Sequence, residues 1–554
     1  MPNVAALARR GVQAESLLPE DPALPVPGYL AMSTGRRSGQ SGLPTSQGPG
    51  SAGGSTDGTL TPEPVWRTAM RSGLRTATVF WPAATLDDPQ MYAEYMVVTA
   101  VSDVPSAQHT LALTEAVDWE GAPSSFSPPR EAMLSLTAAQ GCTTASFYLL
   151  TLDTEDDAES TYQRVLLDDD KNLTNGYSQI LLGQWASITI SPRLHSGVRI
   201  CFTASTGATV TLYSSQAIYS RARPGELLQD INRRFGVPPP PPDAAALRAG
   251  WLTPEQYVDM ALLRHQWISE VMLHVYQAYS PELLLTSWPL IADFSRVFLL
   301  VDGRQEGYGP EKAEIYATYL KQAHSILDQS LGRLLSQVNL AHSSVFVVSP
   351  NGSLPVHTAV NVNTILTTAK LLSVKAGSPW PATLDTSKSK AWASTNQGIA
   401  HVYINLQGRE STGIVPPEDY AKVQEQIIKA MVDAKDETGQ QVFARVLRRE
   451  DLAALHLDTP DAGDVFAQAA PGYLLGDALN VKKALSAAPC CAAEGLPAEL
   501  PEMHGVFVAA GGLLASNKTV PSVSILDLAP TIARALRFQP VADTDGHALE
   551  GIWR

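Results

Sequence analysis

Cysteine is scarce in this chain, which has four among 554 residues: Cys142, Cys201, Cys490 and Cys491. Their spacing contains no C-x-x-C pair, so we do not expect a zinc knuckle. The adjacent Cys490 and Cys491 are compatible with a vicinal redox pair or with buried small apolar side chains. The spacing favours the second interpretation.

Positive charge and long apolar runs are also lacking. Lysine and arginine number 40 against 55 aspartate and glutamate residues, giving a formal net charge of −15. This balance argues against nucleic acid or an anionic membrane as a partner and provides no general attraction for phosphate substrates. No apolar run reaches about 18 residues, so we predict no membrane span. No signal peptide is visible, and we expect a cytoplasmic location.

The length is several times that of a typical domain, which predicts one large core with an insertion. Alternating apolar and polar residues predict β-strands at 145–152, 198–203 and 210–214. We therefore predict three segments: 1–90 as the first part of the core, 91–221 as an inserted β-rich domain, and 222–554 as the second part.

Turn-forming residues and hydrophobic periodicity predict further elements. The Gly-, Ser- and Thr-rich stretch Met32–Asp57 predicts a mobile loop, and Pro238–Pro242 predicts a stiff spacer. Thr253-Pro-Glu-Gln256 predicts a capping box at the start of a helix that continues to about Tyr276. A buried strand at Glu282–Thr286 and a helix at Tyr316–Gln337 follow.

The most informative stretch is Val345–Gly352, V-F-V-V-S-P-N-G. Val345–Ser349 has the pattern of a buried parallel strand, and Pro350 begins a loop where the strand's carboxyl end should lie. Ligand sites of open α/β sheets lie at those ends.

This stretch resembles the strand that ends in S-D-H-G in the alkaline phosphatase superfamily, in its type I phosphodiesterase/nucleotide pyrophosphatase branch. Five other segments resemble the same branch in the same order. They are Pro2–Val12, Ser33–Gly35 with Gly39 and Gly42, Pro64–Trp66 with Gly73–Pro82, Tyr403–Leu406 with Gly408–Glu410, and Asp527–Thr531 leading to Asp545-Gly546. The resemblance implies an alkaline-phosphatase-like α/β fold with a mostly parallel sheet flanked by helices.

The resemblance also implies a site of two metal ions held by Asp and His, together with a nucleophile, and this chain departs from that pattern. The family's Asp and His after the strand are replaced by Pro350 and Asn351. Proline has no ligand atom, and an amide is a poor substitute for imidazole. The nucleophile position, ten residues before Gly35, is Pro25, which has no nucleophilic atom. Rescue by Ser33 would require a shift of about two helical turns.

Three more family positions have changed. The D-x-x-x-H ligands after the strand at 283–286 correspond to Ala292 and Arg296. Asp293, one residue on, would point elsewhere because one helical residue is about 100° of rotation. A guanidinium cannot bind zinc, so Arg296 is either an anion-binding residue or a solvated one. The last ligand position is Glu494, and the neighbouring His504 is interpreted as a rim or structural histidine.

The family's first strand, with one metal Asp, precedes the Pro2-Asn3 motif. The sequence starts at Met1, so we expect that strand and its Asp to be missing, through a misassigned start or a truncation.

Other clusters admit two interpretations. Asp168-Asp169-Asp170, with Asp153 upstream, could bind calcium, but the spacing favours a solvated turn. Asp543, Asp545 and His547 are interpreted as structural.

Three hypotheses follow. The first is a non-catalytic pseudoenzyme without metal or cofactor. It binds a small anion or a protein partner through the former catalytic cleft, with Arg296 and His504, or through the inserted β-rich domain. The second is an active phosphodiesterase or nucleotide pyrophosphatase with an atypical site and two divalent metals, which we expect to be zinc. The third is a decaying gene product without selected activity. We favour the first.

Overall fold

The computed structural model describes residues 1–37, 62–139, 141, 143–157, 159, 161–191, 195–375, 382–479, 481–540 and 543–554. Its α-helices are α1 (Pro2–Arg10), α2 (Pro25–Thr34), α3 (Val65–Arg71), α4 (Gly225–Phe235), α5 (Ala244–Arg248), α6 (Pro254–Tyr279), α7 (Leu290–Phe298), α8 (Pro310–Gln337), α9 (Val362–Thr368), α10 (Tyr420–Val432) and α11 (Leu528–Leu536).

The strands of the first half are β1 (Val12–Ala14), β2 (Leu17–Leu18), β3 (Thr76–Val79), β4 (Tyr95–Val101), β5 (Ala107–Ala112), β6 (Thr114–Glu115), β7 (Arg130–Thr137), β8 (Thr143–Leu152), β9 (Arg164–Asp168), β10 (Ser178–Leu181), β11 (Trp185–Ser191), β12 (Ser196–Ser205), β13 (Thr209–Ser214) and β14 (Ile218–Arg223). Those of the second half are β15 (Leu283–Thr286), β16 (Ser344–Val348), β17 (Leu354–Asn361), β18 (Ala391–Asn396), β19 (Ile399–Ile404), β20 (Phe443–Arg448), β21 (Val465–Ala469), β22 (Gly472–Gly476), β23 (Leu485–Ala487), β24 (Ala492–Ala493), β25 (Phe507–Gly511), β26 (Lys518–Val520) and β27 (Val523–Ser524).

One compact unit comprises Arg75–Asp87 and Ala93–Leu290. Its larger sheet has the order β15-β3-β4-β14-β12-β13-β5, with β11 added beside β12. The pairs β15–β3 and β3–β4 are parallel, whereas β4–β14 is antiparallel. A second sheet, β10-β9-β8-β7-β6, packs on its antiparallel part around Leu134, Leu149, Ile200 and Phe202.

The other compact unit comprises Met1–Leu74, Asp88–Tyr92 and Ile291–Arg554. It contains the sheet β16-β25-β1-β26, the sheet β18-β19-β21-β20, and β17 with β22, β23 and β24. Its largest apolar core lies between β18–β22 and the helices α9 and α10. These two units do not test the predicted boundaries at 91 and 221, which stay a prediction.

Several predicted elements are confirmed. The strands predicted at 145–152, 198–203 and 210–214 are β8, β12 and β13. The capping box of Thr253 and Gln256 begins α6, which ends three residues later than predicted, at Tyr279. The helix predicted at Tyr316–Gln337 is α8, which begins at Pro310.

Other predictions need correction. The strand predicted at Val345–Ser349 is β16, but it pairs antiparallel with β25 and is half-exposed along its whole length. The reason is that only one of its two edges is paired within the described residues. Residues 32–34 of the predicted mobile loop belong to α2, Gly35–Arg37 follow it, and the rest of that stretch lies outside the described residues, as does Cys142.

The Pro2-Asn3 motif has a structural explanation in Asp328 of α8. The nearly buried Asp328 carboxylate accepts hydrogen bonds from the backbone N–H groups of Asn3 and Val4, at 3.0 Å each, and from the Asn3 side chain at 3.0 Å. Pro2 needs no acceptor at the first turn. An acidic group from another helix therefore caps α1.

Among the described residues, no helix combines the length and the apolar character needed to cross a bilayer.

Replacing Asp328 with alanine should lower the free energy of unfolding by about 2 kcal/mol, because three donors at the start of α1 lose their acceptor. Urea unfolding measures this change. Asp433→Ala is the control, since it removes an exposed carboxylate paired with Lys429 and should cost less than about 0.5 kcal/mol. Equal losses in the two variants would contradict the capping role.

Candidate functional site

The N-terminus of α2 is the centre around which the predicted site residues gather. Pro25 is the first residue of this helix. The loop after β16 approaches it so closely that a Cβ on Gly28 would lie 2.8 Å from Cβ of Pro350. Sequence reasoning missed Gly28; its signal was a glycine inside a helix, where alanine is better by about 1 kcal/mol.

A second segment holds the Pro350 loop in place. The backbone N–H of Ser349 donates to the Val506 carbonyl at 3.0 Å, and that of Gly352 donates to the Met503 carbonyl at 2.9 Å. His504, which is half-buried, lies in this same segment. The structure therefore brings His504 next to the loop that contains Pro350 and Asn351.

The third side of the site is the turn at Glu494-Gly495. The Gly495 N–H donates to the Ala23 carbonyl at 2.8 Å, immediately before α2. Gly495 has φ +80°, and a Cβ there would lie 3.0 Å from the Leu24 side chain. A glycine is needed at this position because the left-handed backbone and the close approach both disfavour a side chain. Glu494 is thereby placed near the start of α2.

The fourth side is α7, which contributes Ala292, Asp293 and Arg296. Ala292 and Arg296 are exposed, and the Arg296 carbonyl accepts a hydrogen bond from the Cys491 N–H at 2.7 Å. The charge of Arg296 acts on Glu494, as does that of Asp293. That the Asp293 side chain points away from the site stays a prediction.

Burial raises the pKa of the Glu494 carboxyl above its usual range, and Arg296 and Asn351 offset only part of this effect. Arg296 lowers the pKa through its positive charge, and Asn351 through a side-chain hydrogen bond, whereas Asp293 raises it. The nearly buried Asn351 also donates to the Gly352 carbonyl at 2.8 Å, while its Oδ1 has no hydrogen-bond partner in the described part of the chain. A protonated Glu494 could donate to such an oxygen.

The residues at this site do not fit two zinc ions. Pro25, Ala292 and Pro350 offer no ligand atom, Asn351 offers a weak one, and Arg296 is a cation. Within the described residues, the only group of three His, Cys, Asp or Glu side chains close enough to share a metal is Asp168-Asp169-Asp170, outside this site. Glu494 is therefore the one carboxylate among the predicted positions.

The start of α2 is also a poor site for a phosphate group. A helix N-terminus binds anions through its first N–H groups. Pro25 and Pro27 have none, and the Gly28 N–H already donates to the Leu24 carbonyl at 3.0 Å. Val26 is left as the one N–H donor among the first three residues of the helix.

The hydroxyl groups considered as a substitute nucleophile are engaged inside α2. Ser33 Oγ donates to the Tyr29 carbonyl at 2.6 Å, and Thr34 Oγ1 donates to the Leu30 carbonyl at 2.9 Å. Both residues are fully buried. Their position supports the interpretation that neither replaces the nucleophile.

The remaining clusters have local roles. Asp545 accepts a hydrogen bond from the Arg37 N–H at 3.0 Å, and the His547 N–H donates to Asp527 at 2.9 Å, so the terminal loop is tied to the turn after α2. Burial raises the pKa of the Cys491 thiol to about 11, which disfavours a reactive thiolate. Neither Cys490 nor Cys491 is in a disulfide.

The family model for type I phosphodiesterase/nucleotide pyrophosphatase matches residues 1–180 and 185–489. The chain therefore belongs to this family, and with it to the alkaline phosphatase superfamily. No curated protein matches the chain.

Solved structures give a weaker likeness. Human ectonucleotide pyrophosphatase/phosphodiesterase 5 has a TM-score of 0.47 at 10% identity, over 98% of this chain and 91% of that one. The murine protein has a TM-score of 0.46 at 10% identity, over 98% and 92%. An inactive variant of the murine protein in complex with AMP has a TM-score of 0.46 at 10% identity, over 98% and 91%.

Replacing Glu494 with glutamine should stabilise the protein more at high pH than at low pH. The raised pKa means that the folded state holds its proton longer than the unfolded state. The wild type therefore loses stability as the pH rises from the ordinary value of about 4.3 through the folded pKa. The difference in melting temperature, variant minus wild type, should increase between pH 5 and pH 8.

Glu499→Gln is the control for this series. Burial of Glu499 acts against ionisation, but the Arg445 hydrogen bond, a backbone hydrogen bond and the Arg445 charge together outweigh it and lower the pKa. Its contribution is present above the ordinary pKa and is lost as the pH falls, so the difference for this variant should not increase with pH. A flat profile for Glu494→Gln would contradict the raised pKa.

Proposed function

We propose that this chain is a non-catalytic member of the phosphodiesterase family that binds a small anion through Arg296 at the face around the start of α2. The observation that supports it is the environment of Glu494. This carboxyl interacts with a guanidinium and an amide, the reverse of the arrangement that holds a metal cation. Without a metal there is no activated nucleophile and no screening of phosphate charge.

Arg296 is the residue that supports anion binding. It is exposed, and a guanidinium can pair with a phosphate or carboxylate in a bidentate way. Glu494 competes for its charge, so the proposal implies weak binding that strengthens when Glu494 is protonated. His504 is proposed as a second contact because it lies in the segment bonded to the Pro350 loop.

One alternative is an active metal-dependent phosphodiesterase with two divalent metals. Another is that the site binds a protein partner in place of the anion. We also propose a cytoplasmic location and an inserted domain at 91–221.

The purified protein should contain no stoichiometric zinc or manganese after dialysis and should not hydrolyse bis-p-nitrophenyl phosphate above the blank. The reason is that the site lacks the six or more N and O ligands that two ions need. Elemental analysis and the assay, with and without added zinc, measure this. About two metals per chain together with metal-dependent hydrolysis would establish the alternative.

Inorganic phosphate should raise the melting temperature of the wild type, and Arg296→Ala should abolish the rise. At a concentration ten times the dissociation constant, the expected stabilisation is about 1.4 kcal/mol. Arg10→Ala, at an exposed arginine on α1, is the control and should keep the rise. An equal rise in Arg296→Ala would place the anion elsewhere, and no rise in the wild type would exclude phosphate binding at this face.

A further inference from the structure

Arg199 in β12 is a half-buried cation, and within the described residues no carboxylate forms an ion pair with it. Its Nε is buried and has no hydrogen-bond acceptor within the described residues. Burial lowers its pKa, and among those residues no carboxylate adds an opposing effect. A buried donor without an acceptor destabilises the folded state, and more so when the group is charged.

Trp185 in β11 supplies a second donor of the same kind. Its indole N–H is also buried and has no acceptor in the described part of the chain. Trp185 is paired with Cys201 and Ser187 with Arg199, so Trp185 and Arg199 lie on the same face of adjacent strands, in diagonal positions. Such diagonal neighbours are about 7–8 Å apart, within reach of long side chains.

The surroundings of these two donors are mainly apolar. Cys201, on the same face, packs in a cluster with Tyr213, Met260, Trp185 and Trp251. Two acidic groups act on this cluster: Asp243 accepts a hydrogen bond from the Tyr213 hydroxyl at 3.0 Å, and the charge of Asp259 raises the pKa of Cys201. The charges that act on Asp259 itself do not include Arg199. Ser187, opposite Arg199, is exposed, so solvent reaches this edge of the sheet.

We propose that Arg199 and Trp185 form a binding site for a small organic carboxylate with an apolar body. The two oxygens of a carboxylate accept from the guanidinium in a bidentate way, and one of them also accepts from the indole N–H. One negative charge balances Arg199, and the apolar body packs against Trp185 and Trp251. A phosphate dianion would leave an excess charge in an apolar environment, which disfavours it. It shares no residue with the site at Arg296.

The probe is benzoate, added to the full chain at constant ionic strength, with the melting temperature and the indole N–H resonances of ¹⁵N-tryptophan-labelled protein as readouts. We expect a saturable rise in melting temperature and a shift of the Trp185 resonance, assigned with Trp185→Phe. Arg199→Gln should weaken binding at least about tenfold through loss of a charged hydrogen bond, and Trp185→Phe about threefold to tenfold.

Arg233→Gln is the matched control, because Arg233 is an exposed arginine on α4 that pairs with Asp230 in the same compact unit. It should bind benzoate as the wild type does. If Arg199→Gln is unstable, Arg199→Lys keeps the charge and should still lose most of the affinity through loss of the bidentate geometry. An equal response in Arg199→Gln and wild type, no response in the wild type, or a response to phosphate but not to benzoate would each overturn the proposal.

Discussion

The buried carboxylate of Asp464 orders the half of the chain on which the candidate site depends. It is fully buried and accepts hydrogen bonds from the Ile404 N–H at 2.6 Å, from two nitrogens of Arg409 at 2.7 Å each, and from the Tyr420 hydroxyl at 3.0 Å. A buried charge is tolerated when it is paired and fully bonded in this way. The group joins the end of β19, the start of α10 and the residue before β21. Gln468 of β21 then donates to the Gly495 carbonyl at 3.3 Å. The position of Glu494 is thus connected to a network about thirty residues earlier in the chain.

The family motifs could be recognised from the sequence because each performs a local structural task. Arg409 belongs to one of the family motifs recognised in the sequence, and in the structure it forms an ion pair with Asp464. Asn3 was part of another, and its task is to bind Asp328. The capping box at Thr253 was predictable because it involves only four consecutive residues. The antiparallel pairing of β16 was not predictable. Its apolar run is compatible with parallel or antiparallel neighbours, and its partner strand lies about 160 residues later in the chain.

The gathering of Pro25, Pro350, Asn351, Glu494 and Arg296 could be expected from the family order of the motifs. The electrostatic interactions among these residues could not be predicted from the sequence. The effect of Asp293 on Glu494 depends on where α7 lies, and helical rotation alone does not specify that position. The contact of Gly28 with Pro350 joins residues more than 300 positions apart, and no local pattern specifies such a contact.

The attraction between the Arg296 charge and the Glu494 carboxylate has a consequence for the binding of a metal ion at this site. A metal ion entering this site would meet a fixed positive charge, so Arg296 would have to change before any other substitution could help. Yet Arg296 lowers the pKa of Glu494, and its loss would leave that carboxyl more protonated and a poorer ligand. Removing the Arg296 charge to admit a metal ion would therefore weaken the one carboxylate ligand among the predicted positions. A metal site here would thus need at least two coordinated substitutions.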